Sequence, residues 1–204
     1  MFRNATMAIA AFAMLSGPIP CNAESGFSVD LSEDQLEELV QRSYQYVAMF
    51  NVNNKFALDT DNPMMTGGYN RVRANTALAD HTLQAIARPN NDTLYAGALI
   101  DVSEEPIVLE LPAFDSKYVS LMVTAYDHYV NIPMSSRVGD FQEPSSILFY
   151  SERTPRYDGA PVDGVDIIFE TSGDFVSAVL RVMPHAAEPE RMKANLNALG
   201  GIDV

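Results

Sequence analysis

The chain has no tryptophan, one cysteine, half as many basic as acidic residues, and no apolar run long enough to cross a bilayer. Each absence excludes something. A single thiol, Cys21, rules out an internal disulfide framework and a zinc-thiolate centre. With 13 Lys+Arg against 27 Asp+Glu the net charge is −14, and no basic cluster interrupts it. Such a chain repels phosphate backbones and anionic membrane surfaces, so nucleic acid is excluded as a partner. A Gly-rich phosphate loop, a GxSxG elbow, an HExxH pair and a CxxC pair are also missing. His81, His128 and His185 are far apart and share no ligand spacing, so no metal and no cofactor is expected.

What is present is an ordinary globular composition, 47% hydrophobic, with Tyr and Phe supplying the aromatics. The first 23 residues stand apart. Arg3 is their only charge, Met7–Leu15 is a short apolar run, and Gly17, Pro18 and Pro20 break it before Cys21-Asn22-Ala23. This is the layout of a secretory signal peptide with cleavage after Ala23, which predicts a periplasmic or secreted protein without stable membrane insertion. Lipid attachment at Cys21 is disfavoured, because Ile19-Pro20 stand where small residues belong. Removing 23 of the 204 residues leaves 181, with no thiol and 27 acidic against 12 basic groups.

Residues 24–82 read as an N-terminal helix and an irregular connection. Ser32 and Gln35 form a capping box. Leu36, Leu39, Val40, Val47 and Phe50 recur at helical spacing, which predicts a helix over 33–50 carrying Tyr44 and Tyr46. From Asn51 to Asn70 the pattern dissolves; Asp59-Thr60-Asp61-Asn62 lacks the ligand spacing of a calcium loop and reads as a surface turn. Residues 83–186 carry short β runs at Leu94–Ile100, Ile107–Leu111, Tyr118–Tyr126, Ile147–Tyr150, Val165–Phe169 and Phe175–Val182, separated by turn formers. Their spacing predicts an antiparallel β-sandwich. Residues 187–204 close with a short helix: Pro189 opens it, Met192, Leu196 and Leu199 form a stripe, and Gly200 ends it. That stripe must cover either the sandwich or a partner.

Two places can carry chemistry. In Ala87–Gly97, Pro89 biases Arg88 toward extended backbone, and Asn90, Asn91 and Asp92 favour an Asx turn before the strand that starts at Thr93. Asp92 either accepts the turn's N–H groups, with Thr93 capping the strand, or lines a cleft together with Asn91 and Tyr95. In Tyr126-Asp127-His128-Tyr129, Asp127 continues the parity of the apolar Val119–Ala125 face and needs a partner at the core edge, while His128 alternates away. Adjacent side chains on a strand diverge, so Asp127 and His128 do not make an acid–base dyad.

The run Arg88-Pro89-Asn90-Asn91-Asp92-Thr93-Leu94-Tyr95 resembles the PN-x-DTLY hallmark of the domain of unknown function 1254 family. Leu99–Leu109 resembles its continuation through "DLS-x-EP", and Leu111-Pro112 with Lys117–Leu121 resembles its "P…RYY" segment, followed by Ala125-Tyr126-Asp127. The resemblance implies an exported bacterial envelope protein with an immunoglobulin-like fold: a mainly β antiparallel sandwich, an N-terminal helix and a short C-terminal helix. It assigns no catalytic residue. Members usually continue into a jelly-roll-like second domain that is not seen after the C-terminal helix here, so the expected partner is such a domain encoded separately, or a second copy docked through that helix. The resulting expectation is a binding or assembly module. The other reading is an enzyme or a receptor for a small polar ligand or glycan, with a cleft of Asn91, Asp92, Tyr95, Tyr118, Asp127 and His128.

Overall fold

The computed structural model describes residues 30–84 and 86–204; the signal-peptide segment lies outside them. The chain divides into two units, residues 1–39 and 40–204. Of the first, the described part is residues 30–39, which hold the capping box: the Ser32 N–H donates to Gln35 Oε1 at 3.0 Å and the Gln35 N–H to Ser32 Oγ at 3.3 Å.

Helix α1 spans Glu33–Leu58, two turns beyond the expected end. Asparagines are poor helix formers, but Asn53 and Ala57 are buried and fall one turn apart, below Phe50, on a face that the rest of the fold covers. Burial overrides local preference there.

Eight strands follow: β1 (Arg71–Ala74), β2 (Leu94–Asp101), β3 (Ile107–Leu111), β4 (Val119–Ala125), β5 (Val130–Ser135), β6 (Ser145–Ser151), β7 (Ile167–Thr171) and β8 (Phe175–Val182). They make a five-stranded sheet in the order β1-β2-β8-β4-β5 and a three-stranded sheet in the order β3-β6-β7. β1 and β5 are strands the sequence reading lacked. All pairs in the larger sheet are antiparallel, and so is β3–β6, but β6 and β7 run parallel. The expectation of a purely antiparallel arrangement is therefore corrected: residues 152–166 cross over to bring β7 alongside β6.

One apolar cluster joins the two sheets. Leu94, Ala96, Ala98 and Ile100 of β2, Val119, Leu121 and Val123 of β4, and Val176, Ala178, Leu180 and Val182 of β8 face Leu109 and Leu111 of β3 and Ile147 and Phe149 of β6. These are alternate positions along each strand of the larger sheet, the half-buried pattern of an antiparallel strand.

Helix α2 spans Pro189–Leu199. Leu199 is fully buried in the core, and Leu196, Ala198, Ile202 and Val204 pack against it. Two of the three stripe residues, Leu196 and Leu199, thus meet the chain's own core. Asn195, also fully buried, donates to the Asp115 carbonyl at 2.8 Å, and Arg191 pairs with the Asp115 carboxylate at 2.8 Å. Gly200 ends the helix, as expected, in right-handed geometry with φ −73°. Past it, Asp203 exchanges backbone hydrogen bonds with Glu110 at the edge of β3. Among the described residues, no helix is long and apolar enough to cross a membrane.

Candidate functional site

The larger sheet spends one face on the core; the other carries the odd-numbered positions of β2 and β8. Tyr95, Gly97 and Leu99 alternate with the core residues of β2, and Phe175, Ser177, Val179 and Arg181 with those of β8. Gly97 and Ser177 make the middle of this face shallow. The last turns of α1 pass above it through Met49, Val52, Asn53 and Phe56, and the shallow floor leaves a cavity of about 270 Å³ beneath them.

Toward the Phe175 end of the sheet stands a cluster of aromatic rings. Tyr126 meets Tyr46 edge to face at 4.7 Å and stacks on Phe175 at 5.8 Å, while Phe50 and Tyr69 each stand edge-on to Phe175. The Tyr126 hydroxyl is buried without hydrogen-bond geometry to any partner, and burial drives its phenol well above the ordinary value. Asn53 Nδ2 is buried beside it, near enough to the phenol to favour its ionised form slightly but outside good hydrogen-bond geometry.

At the other end the cavity adjoins a second, of about 350 Å³, walled by the 77–93 segment. The two share Met64, Asn75 and Tyr95. Arginines stand along this groove: Arg73 on the first cavity, Arg88 and Arg181 on the second. Among the described residues, no carboxylate lines either one. Arg73 is held by donating to the Met65 carbonyl at 3.0 Å. The Arg181 side chain makes no hydrogen bond or ion pair among the described residues. Its guanidinium carbon lies 5.6 Å from the Tyr95 ring centroid, and its Nε is buried without a partner. Arg88 holds a left-handed backbone, φ 57°, immediately before Pro89. The extended geometry expected from that proline is overturned, and the residue carries strain at the rim.

In chemical terms the walls supply amide and guanidinium donors, a phenol and apolar surface. The groove can bind and orient a ligand; it holds no nucleophile–base pair.

Of the candidates read from the sequence, Tyr95 alone lines the groove. Asn91 and Asp92 are exposed beside it. The turn is capped by neither Asp92 nor Thr93 but by Asn90, whose Oδ1 accepts the Asp92 N–H at 2.7 Å and whose Nδ2 donates to Thr93 Oγ1 at 3.2 Å. Tyr118 is half-buried, its hydroxyl 3.0 Å from Ser120 Oγ. Asp127 and His128 lie at the opposite end of the sheet. β2 and β4 flank β8 in the same direction, with Leu94 and Val119 both beside Val182, and Ile100 and Ala125 both beside Val176. Six residue steps, roughly 20 Å, separate the two ends. The expected cleft of Asn91, Asp92, Tyr95 and Asp127 is therefore not assembled.

Asp127 also departs from its expected core-edge position. β4 ends at Ala125, the chain turns, and the carboxylate is exposed, accepting from Ser172 Oγ, from the Tyr129 N–H at 2.9 Å and from Asn131 Nδ2 at 3.1 Å. Partial burial opposes its ionisation, but these hydrogen bonds outweigh it and hold the carboxyl below its usual range. His128, with φ 65°, is exposed and reaches the Gln45 carbonyl at 3.3 Å. The residues that do build the groove, Asn53, Asn75, Arg88 and Arg181, left one legible mark. Arg181 is a lone cation at an outward position of an otherwise apolar strand.

Among solved structures the chain is similar to the VPA0106 protein of Vibrio parahaemolyticus, with a TM-score of 0.58 and 22% identity over 83% of this chain and 37% of that one. It also aligns with a putative uncharacterized protein of Burkholderia cenocepacia at a TM-score of 0.38 and 12% identity, over 84% of this chain and 50% of that one. The chain thus spans about a third to a half of the proteins it matches. The first likeness is one of fold. No curated protein matches the sequence. Residues 69–199, most of the chain and all eight strands, match the family described as "Protein of unknown function (DUF1254)", and the chain belongs to that family.

Proposed function

We propose that this protein is an exported small-molecule binding module, its site the groove between α1 and the outer face of the five-stranded sheet. The observation that carries the reading is the hollow at Gly97. Every other position on that stretch of β2 carries a side chain, and here its absence opens a cavity that continues into a second past Tyr95. Together they reach the size of small-ligand sites, ~300–1,000 Å³, and combine apolar walls with a few convergent donors. The signal-like leader supports a periplasmic or secreted location, and the two facing sheets suit the immunoglobulin-like sandwich that the family resemblance implies.

The test is Gly97→Leu. A Cβ at Gly97 meets only the Ala178 carbonyl, at 3.9 Å, so the larger side chain has room to grow into the hollow. Wild-type protein is expected to bind a neutral apolar dye such as N-phenyl-1-naphthylamine, and Gly97→Leu to lose that binding without a lower Tm. Equal dye binding by folded wild type and variant, or no binding by wild type, overturns the reading.

A second reading is assembly with a jelly-roll-like domain or a second copy, the partners that the family resemblance implies. A monomer in sedimentation, alone and with the neighbouring gene product, would count against it.

A further inference from the structure

Resting on the groove reading above, we propose that its ligand is an amphipathic organic anion, whose carboxylate meets Arg181 and Arg88 while its apolar part enters the hollow above Gly97. Charge balance is the first argument. Acidic residues outnumber basic ones 27 to 13, so an arginine here has an excess of carboxylates to choose from. Arg153 takes Asp174 at 3.0 Å and Arg191 takes Asp115 at 2.8 Å. Arg181 takes none, although its Nε is already stripped of water. An enclosed guanidinium N–H without an acceptor is costly, and this half-buried cation has no carboxylate partner to compete with an arriving anion.

Geometry adds direction. Arg181 sits directly across from Tyr95 in the β2–β8 ladder, and the ring that fixes the guanidinium also forms the wall shared by the two cavities. With Nε enclosed, the terminal nitrogens are the part open to the second cavity. They offer the forked edge that suits a carboxylate. Arg88 stands on the same cavity, exposed and without an ion pair among the described residues. Beyond Tyr95 the walls turn apolar, with Met49, Val52 and Phe56 of α1 over Gly97. Head and tail environments therefore lie end to end, with Asn53 Nδ2 as a further unpaired donor at depth.

The probes are octanoate, the neutral octanamide and acetate, titrated calorimetrically into wild type, Arg181→Met and Arg88→Gln, each first shown to be folded by near-UV circular dichroism. Octanoate is expected to bind at least tenfold more tightly than octanamide, and acetate not measurably. Arg181→Met should weaken octanoate about tenfold or more and leave octanamide unchanged, the scale of a charge-assisted hydrogen bond. Arg88→Gln, an exposed substitution that keeps the fold, should weaken octanoate by a smaller factor. Equal binding of octanoate and octanamide, with both variants silent, overturns the anion assignment and leaves the groove standing. If neither eight-carbon probe binds, the groove reading falls and the assignment with it.

Discussion

Arg181 and Tyr95 are cross-strand partners, and the guanidinium carbon lies 5.6 Å from the centre of the phenol ring. A desolvated cation–π pair contributes about 2 kcal/mol and an exposed one ~0.5–1. A double-mutant cycle with Tyr95→Leu and Arg181→Met, read by urea unfolding, is expected to show a coupling between those limits. Additive effects would mean that the ring is only a wall and does not hold the cation.

Leu199 tests where α2 belongs. It is 2% exposed and part of the central cluster, so Leu199→Ala is expected to cost about 2–5 kcal/mol in a monomeric unfolding transition. A change in sedimentation with unchanged unfolding would return the helix to a partner.

Thr154 is 4% exposed and joins two segments by its hydroxyl. Its Oγ1 accepts the Ser151 N–H and donates to the Val102 carbonyl, both at 2.8 Å. Thr154→Val keeps the shape and removes both bonds, leaving a buried N–H and a buried carbonyl unpaired. Destabilisation of about 1–3 kcal/mol is expected in chemical denaturation.

Asp127 makes stability depend on pH in a known direction. Its folded-state pKa lies below the ordinary value, so its contribution is fully present above the usual carboxylate range and fades as pH falls through it. The urea midpoint of Asp127→Asn should therefore fall below that of wild type at pH 7, and the gap should close by about pH 2–3. A constant gap would assign the loss to geometry and not to ionisation.

The elements visible in the sequence are those where one force dominates. Val176, Ala178, Leu180 and Val182 alternate with exposed or half-buried neighbours, and periodicity alone places that strand. β1 is four residues long, with Arg71 and Arg73 outward, and β5 contains Pro133 at an edge, where a missing N–H does no harm. Neither looks like a strand until its neighbour is in place. The end of α1 was hidden for a related reason: Asn51, Asn53 and Asn54 read as a breaker, yet the buried Asn53 lies on the covered face.

For the site, the motif at Arg88–Tyr95 pointed to the correct end of the sheet. It gave too much weight to its own polar residues, because Asn91 and Asp92 face outward. A further cation of the groove comes from Arg181, more than eighty residues away, and the β2–β8 register is what sets it across from Tyr95. Asp127 was misplaced by extending the strand parity past Ala125, where the chain had already turned.

β8 lies between β2 and β4 although it is the last strand to be made. Until residues 175–182 leave the ribosome, the β1–β2 and β4–β5 pairs remain two separate ribbons with their apolar faces open and an empty slot between them. The larger sheet therefore closes through distant pairings, a topology whose loop-closure cost slows folding. The groove inherits that schedule, since its floor and its key arginine both arrive with the keystone strand.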